Sequence, residues 1–260
     1  MRQIFHNPEI RQINFLDSRF YSYKNEKGIE IYLPSCTTIL DVYPKGFGFN
    51  QFLKDVGSNA TEIVERAGAI GSKVHGAAEI LLSGQELKWC DATGTPLYSI
   101  HEWELILRFA DFWKKIQPRV LANELIMCSP VLKFGGTLDI VCLIGNTRWL
   151  LDIKTSNYIH KSHFLQIAAY AYLWNELNPD TPIEQTGILW LKGSNRTDKI
   201  DVDKRIYQGI CEAGAWQIKT EERDYHNFYK LFEMTHAIWS EENPNYFPAN
   251  KTYSDFVILN

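Results

Sequence analysis

The sequence predicts an α/β protein: a central mixed β-sheet flanked by helices, with further helices added on the N-terminal side. Three observations carry this. Two apolar runs of strand character, Thr137–Ile144 and Thr147–Ile153, flank Gly145-Asn146, a two-residue turn signal for a tight antiparallel hairpin. A helical pattern over Ser162–Leu177 then leads to a buried strand, Thr186–Leu191, which βαβ logic makes parallel to an earlier one. Upstream, from Phe49 to Gln117, helical periodicity dominates. At 260 residues, 45% hydrophobic and 22% charged, the chain is long enough for one such domain. It divides into an N-terminal hairpin and helices (1–119), a core (120–220), and a C-terminal helix and tail (221–260).

Residues 1–33 alternate polar and aromatic, which predicts a short hairpin turning at Asn25–Gly28. Ser35, Thr37 and Thr38 precede Ile39-Leu40 and can cap a helix. Gly46-Phe-Gly-Phe49 is a loop or helix start; no Gly-Lys-Ser/Thr follows, so no ATP site is expected. From Phe49 to Ser83 the chain is helical, with breaks expected near Gly57-Ser58-Asn59 and between Gly68 and Gly71. Residues 84–99 read as a surface loop. The helix His101–Gln117 carries an apolar stripe that includes Trp103 and Trp113, assigned to packing, and Pro118 ends it. Val120–Ser129 is the first core strand. Beyond Thr186–Leu191, Lys192, Arg196 and Lys199 lie in a polar loop, either a basic edge that guides a strand or an ordinary solvated connection. Ala215–Thr220 reads as an edge strand, and Glu221–Trp239 as an amphipathic helix. The Pro/Asn-rich tail has no readable role.

The hairpin places charge where an apolar sheet should not have it. If its loop is Gly145-Asn146, Ile144 faces Thr147, Asp139 lies opposite Asp152, and Lys154 falls opposite Thr137. Opposed side chains have Cβ atoms roughly 4.5–5.5 Å apart, and like charges there destabilise. Flanked by Leu-Asp-Ile-Val and Leu-Leu-Asp-Ile, these carboxylates need a compensating cation, for which a hard divalent ion is the natural choice. Lys154 is then placed to reach an anion held by that ion. The arrangement describes a metal-assisted phosphodiester hydrolase. The alternative, a solvated charge cluster on an edge hairpin, sits poorly with apolar residues on both sides of the acids.

Gly136-x-x-Asp139, Asp152-Ile-Lys154 and Gln166-x-x-x-Tyr170, in that order, resemble the PD-(D/E)XK nuclease superfamily, and within it the RecB-like branch of phage-type and mitochondrial single-chain exonucleases. Gly71-Ser-Lys-Val-His75 is similar to the upstream Gly-x-x-x-His element of that branch, and Pro34-Ser-Cys-Thr-Thr-Ile-Leu40 to a segment near the start of its members. Leu138 stands where the superfamily name has Pro, and Asp152 where Glu is common, although the RecB-like branch uses Asp there too. The likeness spans about Pro34–Leu191. It implies a restriction-endonuclease-like core. It also implies Mg²⁺ or Mn²⁺ held by Asp139, Asp152, His75 and the Ile153 carbonyl, with Glu124 a secondary candidate that could equally be a surface acid. Lys154 would polarise the nucleophile and Gln166 orient water or phosphate. Tyr170, Ser35, Thr37, Lys192 and Arg196 are the expected DNA contacts.

The expected activity is a DNA exonuclease acting on ends in recombination, repair or replication. A structure-selective or single-strand endonuclease, a catalytically inactive DNA-end-binding module and a hydrolase of nucleotides or other phosphoesters are the alternatives. DNA is the expected partner, with a single-strand-binding or annealing protein a candidate second one. A net charge of −4 requires the Lys and Arg to be gathered locally. Five scattered cysteines without Cys-x-x-Cys suit a reducing cytoplasm, with a mitochondrial location left open, and only Cys211 follows the active strands, so no iron–sulfur cluster is expected. The N-terminal residues lack a secretory core and no run approaches a membrane span.

Overall fold

A computed structural model describes residues 10–15, 18–221 and 224–248. The expectations for the first nine residues, for Asp17 and for the tail beyond Pro248 lie outside them. In chain order the elements are β1 (Arg11–Phe15), β2 (Ser18–Lys24), β3 (Glu30–Pro34), α1 (Cys36–Leu40), α2 (Phe47–Val56), a 3-10 turn (Gly57–Asn59), α3 (Ala60–Leu82) and α4 (Ile100–Ile116). Then follow β4 (Arg119–Ser129), β5 (Phe134–Ile144), β6 (Thr147–Lys154), α5 (Lys161–Leu177), β7 (Gln185–Gly193), β8 (Lys199–Asp201), β9 (Ile206–Cys211), β10 (Gly214–Lys219) and α6 (Tyr225–Glu242).

The core is a seven-stranded mixed sheet in the order β4-β5-β6-β7-β10-β9-β8. Its β5–β6 hairpin has the predicted register, from Ile144 opposite Thr147 to Ile140 opposite Leu151. Gly145 supplies the left-handed turn residue at φ 60°. The crossover through α5 makes β6 and β7 the parallel pair. Side-chain alternation sends Leu150 and Ile188 to one face, under α1, α5 and α6. It sends Trp149, Leu151, Ile153 and Leu189 to the other, under α3 and α4. Apolar residues on both faces of the central strands produce this helix–sheet–helix layering.

Several expectations need correcting. The N-terminal hairpin does turn at Asn25–Gly28, but β1 extends it to three strands. The helix α3 runs unbroken through Gly68 and Gly71, because an internal glycine costs only about 1 kcal/mol and does not forbid helix. β10 is not an edge: β9 and β8 continue the sheet beyond it, and the supposed loop around Lys199 is the edge strand β8. A strand of three residues carries too little alternation to be read. The last helix begins at Tyr225, behind the Asp224 cap.

Local signals fix the elements that wall the site. Ser99 and Glu102 form a capping box at the start of α4, and the buried Glu102 also meets Lys73 at 3.3 Å, tying α3 to α4. The three-stranded sheet docks on β5 through the bridge Ser35–Gly135, where a Cβ on Gly135 would stand 2.5 Å from the Tyr21 side chain. At Gly136 a Cβ would run into the Tyr170 ring. The glycines ahead of Asp139 are thus packing requirements of two neighbouring tyrosines.

Two substitutions separate packing from propensity. Gly136→Ala should lower stability by about 1–3 kcal/mol through overpacking, read as a reduced urea midpoint at unchanged slope. Gly68→Ala, in open space on α3, should raise it by up to about 1 kcal/mol.

Candidate active site

The ladders on both sides of β5 are interrupted at the same level, and the acids collect there. On β4, Asn123 pairs with Ile140 and Leu125 with Leu138, yet the pair between them, Glu124 and Asp139, is missing from the ladder. Glu124 has φ 44°, a left-handed conformation that is strained for a side chain of its kind. On the other side of β5 the ladder ends at Ile140–Leu151, one pair before Asp139 and Asp152. In place of a backbone bond, Ile153 donates its N–H to Asp139 Oδ2 at 2.7 Å. Asp139 and Asp152 are therefore not a paired position of the ladder; both line one opening just beyond its end. Lys154 likewise has no ladder partner at Thr137.

Two helices close on this opening. From α3, His75 directs Nε2 to the Ile153 carbonyl at 3.0 Å and Nδ1 to Asp139 Oδ2 at 3.5 Å and Glu124 Oε1 at 3.8 Å. With Nε2–H donated to that carbonyl, Nδ1 faces the two carboxylates, which favour a proton there in the metal-free protein; a bound metal would take that proton's place. From α5, Gln166 Nε2 donates to Asp152 Oδ1 and to the Tyr170 hydroxyl, both at 3.3 Å. The Lys154 ammonium lies 2.6 Å from Asp152 Oδ2, a close buried ion pair.

These groups set one another's charge. Burial alone would raise Asp139, but the His75 ring and Lys154 outweigh it and hold the carboxyl below its ordinary range. Burial would lower His75, and Asp139 with Glu124 instead raises it to about 10. Burial raises Asp152 to about 6, the nearby Asp139 adding to the shift and Lys154 opposing it. Lys154 is raised above its ordinary value: burial opposes its charge, but Asp152 and Asp139 prevail. One carboxylate pushed up beside one pushed down is the division that acid–base chemistry needs.

The ligand atoms of His75, Glu124 and Asp139 all lie within 4.8 Å of one another. One imidazole and two carboxylates fit a divalent ion of the Mg²⁺–Mn²⁺ range, and the nitrogen favours Mn²⁺ within it. Glu124, read as secondary, thus joins His75 and Asp139. Asp152 stands apart from that trio, held by Lys154 and Gln166, and the Ile153 carbonyl meets His75.

The opening is a cleft of about 490 Å³. Thr37, Gln166 and Tyr170 line it; Ser35 does not, being buried with its hydroxyl accepting the Thr38 N–H at 3.0 Å as the α1 cap. Lys192 and Arg196 are also absent from its walls: Lys192 is bound to Asn157 at 3.0 Å, and Arg196 is exposed beyond β7. The cleft instead takes Gln12 and Arg19 from the N-terminal sheet. Gln12 Oε1 accepts from Tyr21 at 3.3 Å and from Thr137 at 3.1 Å, which ties that sheet to β5. No spacing in the sequence links residues 12 and 19 to 139.

Neither a protein-family model nor a curated protein matches this chain. The functional reading rests on the site itself.

In the metal-free protein a carboxyl NMR titration should find Asp152 near pH 6, and Asp139→Asn should move it down toward the ordinary range by removing the neighbouring charge. Because the folded value is raised, the stability this group contributes is full below the ordinary carboxyl range and is lost as pH rises through about 6. An Asp152 that titrates near 4 in both proteins would contradict the close approach of the two acids.

Proposed function

We propose that this chain is a divalent-metal-dependent deoxyribonuclease with a restriction-endonuclease-like core, hydrolysing phosphodiester bonds from DNA ends. What supports it most is the juxtaposition of the His75–Glu124–Asp139 donor set with the Asp152–Lys154 pair in one open cleft.

In this reading His75, Glu124 and Asp139 hold the ion, which when bound lowers the pKa of a water and draws charge from the phosphate. Lys154 remains protonated, since its acid neighbours raise it, so it serves as a fixed positive charge for the phosphate oxygens and not as a base. Asp152, whose carboxyl burial pushes up, is the carboxylate in the cleft that would accept the proton of the attacking water. Gln166 holds that carboxylate in orientation through Oδ1. Arg19 gives the cleft a second cation for a neighbouring phosphate. The groups act on charge that grows as the phosphorus becomes five-coordinate, so they favour the transition state over bound substrate.

End-labelled linear DNA should be cut with Mn²⁺ or Mg²⁺ and spared with EDTA, while covalently closed circles survive. Lys154→Ala should slow cutting by at least about 10²-fold, and Asp139→Asn should also weaken metal binding measured by calorimetry. Cutting by Lys154→Ala at the wild-type rate, or undiminished by EDTA, would remove the proposal. Cleavage of closed circles would turn it into an endonuclease.

A further inference from the structure

Beside the carboxylate cleft lies a second cavity of about 450 Å³, between the α1–α2 connection and the first turn of α5. The two spaces share walls. On α1, Thr37 lines the cleft and Leu40 the cavity; on α5, Gln166 lines the cleft and Ser162 the cavity. Residues three and four apart share a helix face, so each helix presents one stripe to both spaces. The step along either helix is about one turn, roughly 5–6 Å.

The two spaces differ in chemistry. The cleft is acidic, whereas the cavity has an apolar side, Leu40 with half-buried Tyr43 and Phe49, and an exposed rim with Lys45, His160 and Lys161. Lys45 Nζ lies 5.4 Å from the centre of the Phe49 ring. It also pairs with Asp41 at 3.5 Å, between exposed side chains, a contact of little energetic weight. Aromatic faces beside lysines are the combination that binds unpaired nucleotides: rings stack on bases and cations follow the backbone.

We propose that this cavity is a base-stacking subsite, which takes an unpaired DNA base adjacent to the scissile phosphate against Phe49 and Tyr43, with Lys45 and Lys161 on the flanking phosphates. The inference rests on the nuclease reading and adds a substrate class to it. The strand entering the cleft is single there, because the faces of a base inside a duplex are covered by its neighbours.

The test is fluorescence anisotropy of a labelled oligothymidylate in EDTA, compared with a blunt hairpin duplex and the matching oligouridylate. The single DNA strand should bind most tightly. Phe49→Ala should weaken it at least about fivefold, with Phe49→Trp restoring it, and Lys161→Ala should lower the slope of log affinity against log salt by about 0.7. Should Phe49→Ala melt early, Lys45→Glu at the exposed rim carries the same expectation of weaker binding. Unchanged affinity in the folded variants, or tighter binding of duplex or RNA, overturns the subsite. EDTA-sensitive cutting together with unchanged Phe49→Ala binding removes the subsite alone. Stacking-dependent binding without any cutting removes the nuclease reading and keeps the subsite.

Discussion

The carboxylate of Asp139 is the group around which the other contacts arrange themselves. Taken out of water, it must be matched by donors and positive charge or it would not stay ionised. It takes the Ile153 N–H that the sheet would otherwise have bonded to backbone, and it faces the His75 ring. The first contact stands where the β5–β6 ladder ends, and the His75 ring that makes the second also joins α3 to the end of β6 through the Ile153 carbonyl. Its would-be partner Glu124 turns out of the β4 ladder in a left-handed conformation. A regular sheet and this set of contacts cannot both exist at that point, and the sheet yields.

Everything nearby is fitted to that opening. Gly136 makes room for Tyr170, and Gly135 for Tyr21, so α5 and the N-terminal sheet approach β5 from different sides. Gln166 and Lys154 share the Asp152 carboxylate between them. The apolar clusters on the two faces of the sheet hold α3 and α5 in place, and the side chains reaching the cleft come from elements that those clusters anchor.

Among the described residues no helix is long and apolar enough to cross a membrane. Net charge gives no hint of a polyanionic partner, but cations are placed locally: Arg19 and Lys154 line the cleft, and Lys45 and Lys161 stand on the rim of the adjoining cavity. Local placement, and not the total, decides what such a surface attracts.

The sequence by itself determined the β5–β6 register, the parallel β6–β7 pair and the positions of α4 and α5. Those features follow from signals a few residues long: a Gly-Asn turn, a period of two or of 3.6, and a proline after a helix. The hairpin register also singled out Asp139, Asp152 and Lys154, whereas His75 and Gln166 were singled out only by the resemblance of short motifs. Only the tertiary structure decided that Glu124 leaves its strand to join His75 and Asp139, that Arg19 and Gln12 reach the cleft, and that Lys192, Arg196 and Ser35 do not. It also decided that β10 lies inside the sheet. These outcomes depend on which distant segments pack together, and burial and pairing between segments leave no fixed spacing along the chain.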